Sequence, residues 1–237
     1  MRKPLGVIFD LDGTVMDERG FDALAGDARL LEFATNHRGL TAEDIQRFAD
    51  KLNEDVEKLK LEQMVEFCCQ SFQRVLFERL GVSFSIGYPE MEREFWNAAV
   101  IHSPSDGIAN VLDFLAANKI KTGMVSNTSF SGSVLLEDLA RFDLARRFSF
   151  VMSSADYGFR KPSRRLFEIA VKKMGVDRED IWFAGDRLDM DVSGALNAGL
   201  FPVWYNPQNR PNTAGYSCLE VKDWYEFRKR VESALSA

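Results

Sequence analysis

The sequence predicts an α/β fold, a parallel sheet with helices on both faces, interrupted after its first strand by a helical insertion. Three observations carry that expectation. Beyond Pro104, short apolar runs alternate with helically spaced segments, the pattern of βαβ units. A similar run, Gly6-Val7-Ile8-Phe9, opens the chain and stops at an acidic, glycine-containing turn. Between the two, residues 20–101 have helical character. Hydrophobic residues make up 46% and charged residues 28%, a balance that gives a packed core rather than disorder.

The opening run reads as a buried strand, and Asp10-Leu11-Asp12-Gly13-Thr14 as the loop that follows it. Thr41 with Asp44 three residues on predicts a helix start. Ile45, Phe48, Ala49, Leu52, Val56 and Leu59 then recur at three- and four-residue steps, placing them on one helical face. The spacing continues through Leu61, Met64, Val65, Cys68, Phe72, Val75, Leu76 and Leu80 to Gly81. So long a pattern is expected to break near residues 59–61. Pro89 suits the first turn of another helix, carrying Met91, Phe95, Trp96 and Ala99.

Past Pro104, helices over 108–115, 134–142, 163–174 and 192–198 precede apolar runs at 122–125, 148–152, 181–184 and 201–205. Pro207, Pro211 and Gly215 mark a late surface loop, and residues 220–235 read as a final amphipathic helix. The expected division is residues 1–17 with 102–237 for the sheet domain, and 18–101 for the helical insertion.

A net charge of −6 argues against bulk attraction to nucleic acid or to an anionic membrane. Three cysteines make neither a disulfide framework nor a zinc motif, and the adjacent Cys68 and Cys69 read as small buried hydrophobes. The apolar run at residues 5–9 is too short for a signal-peptide core, and no stretch approaches a membrane span. A cytoplasmic protein is expected.

Ligands of open α/β sheets bind beyond the carboxyl ends of the strands, so the residues at those ends matter. The first strand ends at Asp10 and Asp12, and the second at Ser126 and Asn127. The loop after the third carries Arg160-Lys161-Pro162, and the fourth ends at Gly185-Asp186 with Asp189 and Asp191 beyond. Two like charges 4 Å apart repel by roughly 4 kcal/mol at an effective dielectric near 20. One lysine cannot balance three or four carboxylates; a hard divalent cation such as Mg²⁺, bound through oxygens, can. A carboxylate needs no separate base to act as a nucleophile, which suits Asp10 to attack on phosphorus. Asp12 could protonate a leaving alcohol and then deprotonate water. Lys161 and Ser126 would hold phosphoryl oxygens, and Gly13 would relieve crowding at the turn.

Other chemistries fit less well. In a calcium loop begun at Asp10, Thr14, Val15 and Phe21 would replace an acid, a glycine and the bidentate glutamate. The two histidines, His37 and His102, lie in or beside the insertion and give little support to Ser-His or Cys-His catalysis. Lys51, Lys58 and Lys60 alternate with Glu54, Asp55, Glu57 and Glu62, an expected solvated face.

Phe9-Asp10-Leu11-Asp12-Gly13-Thr14-Val15, Val125-Ser126-Asn127-Thr128, Lys161 and Gly185-Asp186-Arg187-Leu188-Asp189-Met190-Asp191 stand in order along the chain. Together they resemble the four motifs of the haloacid dehalogenase-like hydrolase superfamily, from residue 5 to about 205. The resemblance implies a Rossmann-like core with an α-helical cap inserted after the first motif. It implies Mg²⁺ held by the Asp10 side chain, the Asp12 backbone carbonyl and Asp186, with Asp191, and less surely Asp189, supporting it through water. Gly13, Ser126, Asn127 and Lys161 would bind the phosphate of a small phosphorylated metabolite. Asp12 favours phosphoryl chemistry, because a halide leaves without a proton. The expected activity is hydrolysis of a sugar phosphate or nucleoside monophosphate through an aspartyl-phosphate; the alternative is a phosphomutase of the same superfamily. Ser163-Arg164-Arg165 departs from the family pattern, and both arginines are expected in solvent.

Overall fold

A computed structural model describes residues 2–236. β1 (Gly6–Phe9) is buried at every position. A strand covered on both faces has no polar side to alternate with, which is why it reads as one apolar run. The period of two still sorts its side chains, Val7 and Phe9 into one core and Ile8 into the other.

β2 (Met16–Phe21) then leads out to α1 (Ala23–Leu31), β3 (Ala34–Asn36), α2 (Ala42–Gln63), α3 (Cys69–Leu80), β4 (Ser83–Phe84) and α4 (Tyr88–Ala99). β5 (Val100–Pro104) leads back, paired antiparallel with β2. The four helices share a small core around Leu30, Ile45, Leu76, Phe77 and Met91. The capping box forms as expected: the Thr41 N–H donates to Asp44 Oδ2 at 2.9 Å, and the Asp44 N–H to Thr41 Oγ1 at 3.3 Å. Cys69 is buried in α3, and Cys68 caps that helix half-buried.

Two expectations are corrected here. α2 does not break at 59–61 but runs on to Gln63, and Met64 turns the chain with φ 54°. The break is set by contact with the sheet domain, where the Glu66 N–H donates to the Gly158 carbonyl at 3.0 Å. Lys60 is not on a solvated face. It is buried, donates to Glu57 Oε1 and Ser129 Oγ at 2.9 Å each, and lies 3.2 Å from the buried Glu66 carboxylate. Glu66 also accepts from Ser154 Oγ at 2.8 Å, and Glu92 of α4 accepts from the Ser131 N–H and hydroxyl, both at 2.8 Å. The helical segment is thus pinned to the sheet domain by buried carboxylates.

The rest of the chain alternates: α5 (Ile108–Ala117), β6 (Lys121–Ser126), α6 (Gly132–Arg141), β7 (Val151–Ser153), α7 (Ser154–Tyr157), α8 (Arg164–Met174), β8 (Ile181–Gly185), α9 (Ser193–Ala198), β9 (Phe201–Tyr205), β10 (Leu219–Val221) and α10 (Trp224–Leu235). The six-stranded sheet has the order β10-β9-β8-β1-β6-β7, every neighbouring pair parallel. Residues 220 and 221, expected to begin the last helix, instead belong to the edge strand. Asp223 caps α10 by accepting from the Glu226 N–H at 2.6 Å, which leaves the residues before it free to pair. Phe9 meets Trp224 at 5.6 Å between ring centroids on one sheet face, and Phe167 meets Phe183 at 4.9 Å on the other. Among the described residues, no helix is long and apolar enough to cross a membrane.

Candidate active site

β1 lies between β6 and β8, so the loops leaving these three strands share one edge of the sheet. Asp10 follows β1 directly and is fixed by its N–H, which donates to the Ala184 carbonyl at 2.9 Å. Beyond it residues 11–16 fold into a tight loop, with the Val15 and Met16 N–H groups both donating to the Leu11 carbonyl at 2.9 Å. Gly13 takes φ +72°, and a Cβ there would lie 3.2 Å from the Asp186 carboxyl, so a side chain would both strain the loop and crowd that acid.

The buried Lys161 ammonium joins the loops. It donates to Asp10 Oδ1 at 2.6 Å and to Asp191 Oδ1 at 2.7 Å. Asp191 stands on a wide π-helical turn, Leu188–Val192, and its second oxygen accepts from the Arg187 N–H at 3.0 Å. A Cβ at Gly185 would overlap that carboxyl. The Asn127 side chain clamps the Lys161 backbone, donating to its carbonyl at 3.0 Å and accepting from its N–H at 2.7 Å. Both ends of the Asn127 side-chain amide are thus engaged with the Lys161 backbone. The Ser126 hydroxyl is buried and has no partner among the described residues.

Carboxylate oxygens of Asp10, Asp186 and Asp191 lie within 4.8 Å of one another. At that separation each pair of charges repels by roughly 3 kcal/mol at an effective dielectric of 20. Burial, and then the Asp191 charge, push the Asp10 carboxyl well above the usual carboxylate range and raise Asp186 as well. For Lys161 burial acts downward, but Asp10 and Asp191 outweigh it and hold the ammonium protonated. Arg210 adds a second cation, 3.2 Å from Asp186 Oδ2. Three acids against two cations, all offering hard oxygen donors, form a set that fits a divalent ion such as Mg²⁺.

Asp12 is not in this cluster. Its Oδ1 lies 3.2 Å from His102 Nε2, and His102 Nδ1 lies 2.9 Å from Asp138 Oδ2. The sequence gives His102 no partner because both are remote: Asp138 is on α6 and Asp12 follows β1. Burial lowers the basicity of the imidazole, but its contacts with Asp12 and Asp138 prevail and raise its pKa to about 9. A histidine that titrates near 6.5 unfolded therefore contributes stability in full below that pH and loses it as pH rises through about 9. The contribution is roughly 3 kcal/mol. Urea unfolding at pH 6 and pH 10 is expected to show that loss, and His102→Gln is expected to flatten it.

Asp189 points elsewhere. It is exposed and paired with Arg187 through contacts of 3.0 and 2.9 Å, which hold its carboxyl below the ordinary range. Arg164 pairs with Glu168 at 2.8 Å and Arg165 lies over Phe159, both exposed as expected. Arg210 was hidden in a stretch read only as a loop.

The family model for haloacid dehalogenase-like hydrolases matches residues 5–199. The chain is 27% identical to pyrimidine 5′-nucleotidase YjjG of Escherichia coli over 220 residues, covering 88% of this chain and 89% of that protein. It is 26% identical to glyceraldehyde 3-phosphate phosphatase of Methanothermobacter thermautotrophicus over 204 residues, 85% of each chain. In three dimensions it superposes on 2-haloacid dehalogenase from Pseudomonas syringae with a TM-score of 0.69 at 21% identity, over 99% of this chain and 100% of that one, a likeness of fold. The match over most of the chain shows that this protein belongs to the haloacid dehalogenase-like hydrolases.

Proposed function

We propose that the protein is a Mg²⁺-dependent phosphatase that hydrolyses a small phosphomonoester through phosphorylation of Asp10. The observation that carries this reading is the Lys161 bridge between Asp10 and Asp191, beside the unpartnered Ser126 hydroxyl. It supplies a nucleophilic carboxylate, a cation and a free hydrogen-bond donor at one point. The similarity to two phosphatases of small phosphorylated metabolites supports it.

In the first step Asp10 attacks phosphorus, the ester P–O bond breaks, and Asp12 gives its proton to the leaving alcohol. In the second, Asp12 takes a proton from water as that water attacks phosphorus, releasing phosphate and the Asp10 carboxylate. Ser126 and Lys161 hold the phosphoryl oxygens throughout. Asp12 suits its role because it stands outside the Lys161 bridge, which keeps the proton carrier apart from the nucleophile. Asp10, Asp186 and the Asp12 main-chain carbonyl would hold Mg²⁺, with Asp191 supporting it through water; when bound, it neutralises phosphate charge. Residues 18–101 serve as a cap that excludes water from the site, and the free thiols of all three cysteines suit a reducing cytoplasm.

The test is a phosphate-release screen over many phosphomonoesters, with Mg²⁺ and after chelation. Chelation is expected to lower the rate by about 100-fold or more, reversed by added Mg²⁺. Release that persists unchanged without divalent ions would contradict the reading. An isomerised sugar phosphate with little free phosphate would move it to a mutase.

A further inference from the structure

A cavity of about 270 Å³ lies among α1, α2 and α3, and Ser129 and Phe130 of the sheet domain also line it. Ser129 is three residues past Ser126, so the two are at most about 11 Å apart along the chain. The wall of the cavity formed by Ser129 is therefore no farther from a phosphate held at Ser126 than a sugar-sized spacer can span.

The lining has two characters. Phe72, Phe77, Phe95 and Phe130 give it aromatic walls, and Phe95 stacks on Phe130 at 6.1 Å between centroids. Set among these rings are polar groups with nothing to bind. Gln73 is 4% exposed, and among the described residues neither its amide oxygen nor its amide nitrogen has a partner. Gln46 Oε1 is likewise buried without a partner, its nitrogen being held by Asp50 at 2.7 Å. Asp27, 3% exposed, lines the same space. Each buried group left unpaired costs about 1–3 kcal/mol, and a leucine at position 73 would fill the same helix face at no such cost. Groups of this kind are explained by a ligand that completes them.

The chemistry of that ligand follows from what the cavity offers. It is not a second anion, because Asp27 and Asp50 line the space and the Lys60 ammonium is already bound to Glu57, Glu66 and Ser129. It is not a bare polyol, which would leave the aromatic walls without flat partners. An amide such as Gln73 both donates and accepts, and matches a ring edge that does the same. Burial and the nearby Asp50 push the Asp27 carboxyl up to about 7, so it too can donate as well as accept at neutral pH.

We propose that this cavity binds the leaving group, and that it takes a planar nitrogen heterocycle with adjacent donor and acceptor atoms on one edge, as in a nucleobase. Gln73 and Asp27 read the edge and the phenylalanines cover the faces. The proposal rests on the reading that phosphate is cleaved at Asp10, and it names the substrate class of that site.

The test is calorimetric titration of the Asp10→Asn protein, with Mg²⁺, by uridine, cytidine and inosine 5′-monophosphates and by ribose 5-phosphate. At least one nucleotide is expected to bind 10-fold or more tightly than ribose 5-phosphate. Gln73→Leu, made in the same background, is expected to erase that preference while melting no lower than its parent, since it removes unpaired amide atoms. Equal affinity of every nucleotide and ribose 5-phosphate would overturn the proposal, as would a preference that survives Gln73→Leu. Because these are binding measurements they stand apart from turnover. A Gln73-dependent preference in a protein whose wild type hydrolyses no ester would uphold the pocket and reject the phosphatase reading.

Discussion

Replacing Asp10 with asparagine is expected to abolish phosphate release while leaving the protein at least as stable. The amide has the shape of the carboxylate and can still accept from Lys161, but it cannot attack phosphorus. Loss of a nucleophile costs about four orders of magnitude or more in turnover. Stability should move the other way. Asp10 is buried beside Asp191, and burial and that charge both disfavour its ionised form, so removing the charge relieves repulsion in a site arranged for function. Turnover on any ester found active, paired with thermal unfolding, checks both halves. A fall in both together would mark Asp10 as a structural acid.

Lys161→Met should fail in both respects. Its ammonium is shared between Asp10 and Asp191 at 2.6 and 2.7 Å, and among the described residues no other cation forms an ion pair with either carboxylate. Without it the Asp10 carboxyl rises further, and fewer molecules carry an ionised nucleophile at neutral pH. The loss of charge stabilisation alone is expected to slow turnover by about 1,000-fold. Breaking a buried ion cluster by removing one partner costs about 3–5 kcal/mol of stability. Because the shortage is one of positive charge, Mg²⁺ should recover part of that stability in Lys161→Met, and more than it adds to the wild type. Denaturant unfolding with and without the ion measures this. An equal increment in both proteins would show that lysine and ion do not share one electrostatic site.

What was legible in the sequence is what depends on local spacing and on the rule that parallel strands end together. Asp10, Ser126, Lys161 and Asp186 were found because each follows a strand or its next loop, and the order β8-β1-β6 then sets their loops side by side. Partners chosen by tertiary packing left no such mark. His102, on β5, meets Asp12 of the loop after β1 and Asp138 of α6, and β2, Met-Asp-Glu-Arg-Gly-Phe, has too little apolar alternation to be read as a strand. Lys60 shares its spacing with solvated lysines and differs only in that its turn of α2 rests on the loop carrying Ser129. Gln73 was obscured in another way. It stands beside Phe72, within a helix whose apolar neighbours gave the pattern, and its unpaired amide becomes visible only once the cavity has walls.

The central claim is that phosphate passes through Asp10. It is tested most directly by mixing excess enzyme and Mg²⁺ with an ester it hydrolyses, quenching in acid within one turnover, and mapping the phosphorylated peptide by mass spectrometry. A single acid-stable, base-labile phosphoryl group on Asp10, absent from Asp10→Asn, is the predicted result. Phosphate released at an undiminished rate by Asp10→Asn, or a phosphoryl group carried on any other residue, would contradict it.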